Sequence, residues 1–337
     1  MPVISAPHEF NVDDLFVDLK PVFDVPLYLK CEGLNLTGSV KLKAALEMVL
    51  AAERDGRLTP GAILVESSSG NLGIALSMIA ASRGYGFLCV TDSRCNAASR
   101  RMMESLGARV LIISRPDKEH GLLGARIDYV QRLCSYDSRY VWLNQYTSPH
   151  NWLAHYRGTG PAIAAEFPEL DVLFVGAGTT GTLMGCARYF RERERPVTVV
   201  AVDSIGSVTF GGPAAHRMIP GLGAGVKPRL LDTAFVDDVV MVSERDTLQS
   251  CHAMARRGFL FGGSTGTVVS GALRWLAARP QDEKITAVAL APDQGDRYLD
   301  SVYNPAWVAQ HFGEPQTWEE PSLTPPVGED RLAASGV

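Results

Sequence analysis

The sequence predicts an α/β fold of two domains, each a mostly parallel, twisted sheet flanked by helices. Three observations lead there: short apolar runs alternate with longer stretches of helical periodicity, the runs fall into two series, and a turn-rich segment separates the series. In the first series AILVE (62–66) precedes a helix from about Leu72, FLCVTD (87–92) a helix over 98–106, and RVLIIS (109–114) a helix over 125–133. YVWLNQ (140–145) closes that series. Segment 147–160, with Ser148, Pro149, Gly158 and Gly160, reads as a turn-rich crossover. The second series runs through DVLFVGAG (171–178), VTVVAVDS (197–204), DDVVMVS (237–243) and ITAVALAPD (285–293). Beyond Phe312 proline and acidic residues leave little apolar surface to bury, so a tail over 314–337 is expected.

Composition narrows the partners. With 337 residues, 46% hydrophobic and 20% charged, the chain can bury one or two substantial cores. A formal net charge of −5 and the lack of any run of about five or six like charges exclude the electrostatic footprint of a nucleic-acid or anionic-membrane binder, leaving small molecules as the expected partners. The six cysteines are scattered, without a C-x-x-C pair or zinc-type spacing, so no metal is expected and a reducing compartment fits. The first residues lack the basic start and apolar core of a secretory signal, and no apolar run approaches the roughly 20 residues of a membrane span. The expected location is the cytoplasm.

Four segments carry candidate chemistry. GAGTTGT (176–182) stands directly after a strand and before a helix, where close backbone approach and a helix N-terminus favour an anion, most naturally a phosphate. Gly176, Gly178 and Gly181 also spell G-x-G-x-x-G, with Asp203 about 20 residues on, so this passage alone permits a dinucleotide reading. NLTGSVKLKAA (35–45) places Lys41 at the start of a helix, the wrong end for a cation, which should ease its deprotonation. ESSSGNL (66–72) crowds Ser68, Ser69, Gly70 and Asn71 at another helix start, suited either to a carboxylate or to plain capping. GGSTG (262–266) places Ser264 after a glycine pair at the opening of another helix, where plain capping is the ordinary reading.

The order of these segments, with GLGAG (221–225) and PDQGDRYLD (292–300), resembles the fold-type II pyridoxal-phosphate enzymes, and within them the cysteine synthase group. The resemblance implies a tryptophan synthase β-like architecture and pyridoxal 5'-phosphate as cofactor. It implies a smaller mobile domain over 35–148, a larger one from 1–34 and 149–313, and a homodimer. It further implies that Lys41 holds the cofactor as an imine and acts as the catalytic base. Gly178, Thr179, Thr180, Gly181 and Thr182 would bind the phosphate, Asn71 the ring hydroxyl and Ser264 the ring nitrogen. A neutral serine partner does not enforce ring protonation, which favours β-elimination through an aminoacrylate over reactions needing a long-lived quinonoid. Ser68, Ser69 and Gly70 would hold the substrate carboxylate.

Departures from the cysteine synthase pattern concern the substrates. Ser67 stands where proline is usual, Leu72 where threonine is usual, and Thr180 where glycine is common. Together with Arg126 and the segment NQYTSPHN containing Gln145 and Tyr146, they resemble a subgroup joining O-phospho-L-serine to L-glutamate on the way to 2,3-diaminopropionate. A dianionic leaving group and a dicarboxylate nucleophile both call for arginine, and Arg126 and Arg217 are the candidates, with Tyr146 as a hydroxyl partner. The alternative is a cysteine synthase using O-acetylserine or O-phosphoserine with sulfide. A nicotinamide dehydrogenase and a non-catalytic binding protein are further readings, both poorer at explaining Lys41, Asn71 and Ser264. His155 and His216 are expected to be structural, and Asp296 with Arg297 a local ion pair or cap.

Overall fold

Two sheets form, and alternation of side chains along their strands explains why. The computed structural model describes residues 3–118, 121–280 and 284–313; the expected tail over 314–337 lies outside them. The strands are β1 (Phe16–Asp18), β2 (Leu27–Cys31), β3 (Ile63–Ser67), β4 (Gly86–Asp92), β5 (Arg109–Ile113), β6 (Tyr140–Trp142), β7 (Val172–Gly176), β8 (Thr198–Ser204), β9 (Asp238–Val242) and β10 (Ala287–Ala291). The helices are α1 (Lys20–Phe23), α2 (Lys41–Arg54), α3 (Asn71–Arg83), α4 (Ala97–Ser105), α5 (Gly121–Tyr136), α6 (Pro149–Arg157), α7 (Thr159–Glu166), α8 (Gly181–Arg191), α9 (Glu244–Ala255), α10 (Gly263–Ala277) and α11 (Pro305–Phe312).

One sheet has the order β1-β2-β10-β7-β8-β9 and the other β5-β4-β3-β6. Every pairing is parallel except β1 with β2. In the six-stranded sheet Val172 and Phe174 enter one core while Leu173 and Val175 enter the core on the opposite face. Ala287, Ala289 and Ala291 of β10 follow the first pattern, Val288 and Leu290 the second. Both faces are therefore covered by helices, as continuous apolar parallel strands require. The four-stranded sheet repeats the arrangement, with Leu64, Phe87 and Cys89 on one face and Val65, Leu88 and Val90 on the other.

Two features differ from the sequence reading. β2, a central strand beside β10, falls outside both series because Lys30 interrupts its apolar alternation. That lysine is fully buried, 3.2 Å from Glu32 and 5.3 Å from the Phe16 ring centre. Segment 147–160 is not a turn-rich crossover but mostly helix: Ser148 and Pro149 begin α6 and Gly158 separates it from α7. Proline at the first helical turn gives up no intrahelical bond, so its presence marked a helix start and not a break. The helix α6 packs against both α2 and α8, the helices that begin at Lys41 and at Gly181.

Candidate active site

The two sheets present the carboxyl ends of β3, β7 and β10 to one cleft of about 1030 Å3. Ligands in open parallel sheets bind there. The cleft is lined by Lys41, Ser68, Ser69, Gly70, Asn71, Leu72, Arg126, Gln145 and Tyr146 from one side, and by Gly178, Thr179, Thr180, Gly181, Thr182, Arg217 and Ser264 from the other. Every residue that the resemblance assigns to cofactor or substrate thus meets the same space.

Lys41 is the first residue of α2, behind Val40, which caps nothing with its side chain. The turn before it is stitched to the end of β10: Val40 N donates to Pro292 O at 2.7 Å and Gln294 N to Gly38 O at 3.1 Å. Burial pulls the Lys41 ammonium below its ordinary value, and the carboxylate of Asp293 opposes the shift. A primary amine easier to deprotonate results, as covalent attachment to an aldehyde requires.

The loop after β7 is an anion cradle by construction. Its helix α8 begins without a side-chain cap, so its first N–H groups point at the cleft with the positive end of the helix. Thr180 sits in the left-handed region (φ 66°), the reason glycine is common there, and its Oγ1 donates to Thr179 O at 2.7 Å. At Gly181 any side chain would collide with Asn151 of α6, whose amide reaches Gln145 O at 2.7 Å and Thr179 Oγ1 at 3.1 Å. Thr182 Oγ1 pairs with His155 Nε2 at 3.2 Å, and His155 Nδ1 with Thr159 Oγ1 at 3.0 Å. Burial drives the His155 imidazole down to about 3, so it is a neutral hydrogen-bonding support, as its reading as structural anticipates. His216 is exposed on the cleft rim.

The serine loop divides its labour. Ser68 Oγ accepts from Gly73 N at 2.9 Å and Gly70 N at 3.3 Å, so it caps α3, while exposed Ser69 faces the cleft. Leu72 is 3% exposed and packs mainly into the core beside the four-stranded sheet. Beneath the loop, Glu66 is fully buried, accepting from Trp142 Nε1 at 2.9 Å, Ser67 N at 2.8 Å and Gln145 N at 3.2 Å. Burial outweighs these donors and raises its carboxyl to about 7. Gln145 Nε2 and Tyr146 Oη both donate to Ser67 O, at 2.8 and 3.0 Å.

The cleft is strongly cationic. Arg126 of α5 is 4% exposed, 3.3 Å from Asp92 through Nε, yet Nε and Nη1 lack a well-formed hydrogen bond. Arg94, which the sequence reading missed, lines the same wall and is held by Asp92 through Nε at 3.2 Å and Nη2 at 2.9 Å. Arg217 donates to Gly206 O on the opposite wall, and burial pulls its guanidinium down. Arg297 does more than pair locally with Asp296 at 4.0 Å: its guanidinium donates to Asn71 Oδ1 and Thr37 O, tying both motifs together. Asp203 does not line the cleft; it accepts from Ser204 N at 2.8 Å within its own turn, leaving the dinucleotide reading without its acidic residue. Among the described residues no group of three or more His, Cys, Asp or Glu is placed to hold a metal ion.

Comparison with known proteins agrees with this geometry. The family described as pyridoxal-phosphate dependent enzyme matches residues 17–293. A protein of Ralstonia nicotianae named N-(2-amino-2-carboxyethyl)-L-glutamate synthase is 37% identical over 312 residues, 91% of this chain and 92% of that protein. One of the same name from Cupriavidus metallidurans is 36% identical over 300 residues, 87% of this chain and 88% of its own. Among solved structures, O-ureido-L-serine synthase superposes with a TM-score of 0.82 at 30% identity, covering 94% of this chain and 98% of its own.

Proposed function

The chain belongs to the pyridoxal-phosphate-dependent enzyme family, and on that premise we propose that it joins O-phospho-L-serine to the amine of L-glutamate. The products are N-(2-amino-2-carboxyethyl)-L-glutamate and phosphate: one C–O bond at Cβ breaks and one C–N bond forms. The observation that carries this choice of substrates is Arg126, a buried guanidinium on the cleft wall with two nitrogens lacking good hydrogen bonds. A phosphate leaving group and a dicarboxylate nucleophile both offer such a group a charge-assisted, bidentate partner.

The cradle of Gly178, Thr179, Thr180, Gly181 and Thr182 suits the cofactor phosphate, and Lys41 Nζ suits its aldehyde carbon. Asn71 is assigned to the ring hydroxyl and Ser264 to the ring nitrogen. When bound, pyridoxal phosphate supplies the electron sink that stabilises charge left at Cα. The residues do the rest. Ser69, Gly70 and the backbone amides at the start of α3 hold the substrate carboxylate, with Ser68 keeping that loop in shape. Lys41 Nζ removes the Cα proton and later returns it. Arg126 and Tyr146 hold the departing phosphate, and Arg217 with Gln145 borders the space left for glutamate. Leu72 acts as an apolar wall and not as a donor.

We further assign the chain to the cytoplasm, as its six free cysteines favour a reducing compartment. We also assign it a homodimeric state, with 35–148 as a smaller domain closing on the unit made of 1–34 and 149–313. Sedimentation equilibrium at twice the chain mass, and small-angle scattering that contracts on adding phosphoserine, check the last two points. The reaction is tested by mixing the yellow holoenzyme and phosphoserine with either glutamate or sulfide, then following phosphate release and product mass. Phosphate release that needs glutamate, with the glutamate adduct as product, is expected. Rapid sulfide consumption with glutamate inert overturns the proposal in favour of a cysteine synthase.

A further inference from the structure

Behind the glycine-threonine loop lies a buried cluster of charged and polar groups that the reaction as described does not use. Lys30 of β2 and Glu32 just after it are buried 3.2 Å apart, and Lys43 of α2 reaches the same carboxylate at 2.8 Å. Lys43 Nζ also meets Asp13 at 2.5 Å and the Oγ1 of Thr159, the first residue of α7, at 3.3 Å. From Thr159 Oγ1 the contacts run to His155 Nδ1 at 3.0 Å, and from His155 Nε2 to Thr182 Oγ1 at 3.2 Å. Thr182 lines the cleft, whereas Lys43, Thr159 and His155 do not.

Helix packing fixes these distances. The helix α6, which carries His155, lies against both α2 and α8. Gly185 stands one turn beyond Thr182 on α8, and a side chain there would come within 2.6 Å of His155 Cβ. The imidazole is thereby held against the second residue of α8, with 1% of His155 and none of Thr159 exposed.

Which way each hydrogen points follows from counting donors. With two carboxylates in contact Lys43 Nζ is an ammonium, and an ammonium can only donate. Thr159 Oγ1 therefore accepts from it, and the hydroxyl's single hydrogen needs an acceptor because the group is buried. Among the described residues the remaining partner of that hydroxyl is His155 Nδ1. That nitrogen must then be bare, which puts the ring's one hydrogen on Nε2, where it is donated to Thr182 Oγ1. Thr182, on the cleft wall, keeps its own hydrogen to give.

We propose that Lys43, Thr159 and His155 form a directed chain that holds the Thr182 hydroxyl as a hydrogen-bond donor to the cofactor phosphate. The chain rests on the assignment of the glycine-threonine loop to that phosphate. With the ring hydrogen on Nδ1 instead, Thr182 would donate to Nε2 and turn its oxygen lone pairs toward an anion. A donor at the start of α8 would be exchanged for a repulsive acceptor. Lys43, Thr159 and His155 are positioning residues, since none of them lines the cleft.

The test begins with unaltered holoenzyme whose histidine rings are labelled with 15N, using His155→Gln to identify the His155 resonances among those of seven histidines. Nε2 is expected at the position of a protonated ring nitrogen and Nδ1 at that of a bare one. The reverse pattern, or both nitrogens protonated, overturns the chain. Lys43→Met is expected to move both resonances toward a mixture of tautomers, and unmoved resonances overturn the part given to Lys43. Absorbance titration of cofactor-free variants with pyridoxal phosphate supplies the second measurement. Thr182→Val is expected to bind it about tenfold more weakly and Thr159→Val about fivefold, with Thr159→Ser restoring the unaltered affinity. Adding Thr159→Val to Thr182→Val should cost nothing further. Full affinity in Thr159→Val, or losses that multiply in the double variant, overturns the chain alone. Full affinity in Thr182→Val overturns the assignment of its hydroxyl to the phosphate, and the chain with it. Should Thr159→Val fail to fold, the tautomer in the unaltered enzyme decides.

Discussion

Arg126 concentrates the specificity question at the residue scale. Its guanidinium is buried beside Asp92, which also holds Arg94, so the wall keeps one arginine when the other is removed. Arg126→Ala should therefore leave the fold standing while removing a charge-assisted contact worth about 2 kcal/mol, roughly 30-fold in kcat/KM for phosphoserine. Arg126→Lys should recover only part of that, because a point charge cannot reproduce a planar fork. Steady-state phosphate release measures both. Lys41, Asn71 and Ser264 were legible in sequence because each stands in a short local motif. Arg94, Arg297, Glu66 and Asp293 were not, because their partners are set by folding: Arg297 meets Asn71 across 226 positions of chain. Leu72 was legible as a departure but misleading as to place, since its bulk serves the core more than the cleft.

At the scale of elements, the site depends on where helices begin. The helices α2, α3, α8 and α10 all start at the cleft, each directly after a motif read from sequence. Their starts were visible because glycine, serine and threonine gather there. The start of α6 was not, because Pro149 and Gly158 look the same in a turn and at the two ends of a short helix. That helix lies under the glycine-threonine loop through Asn151. Gly181→Ala puts a methyl group into the Asn151 amide and should push the loop out of line. A misfit of this kind costs about 1–3 kcal/mol, so affinity for pyridoxal phosphate should fall roughly 5-fold to 150-fold. Absorbance titration of the cofactor-free protein checks it.

For the whole molecule, alternation of apolar residues was enough to announce parallel sheets, but not the order of their strands. The placement of β2 beside β10 joins the beginning of the chain to its end, and the buried Lys30 hid that strand from any pattern of apolar residues. This pairing has a functional outcome. It brings the turn holding Lys41 against the end of β10, where Asp293 and the backbone of Pro292 fix it. The glycine-threonine loop, the serine loop and the amine then share one cleft, although Ser68 lies 27 positions and Thr182 141 positions beyond Lys41 in sequence. The account stands on that convergence, with the Lys41 amine as its chemical centre. The most direct measurement is borohydride reduction of the yellow protein, followed by digestion and peptide mass mapping. The account predicts a single pyridoxyl-phosphate adduct on the peptide containing Lys41; an adduct on another lysine, or none after reconstitution, would contradict it.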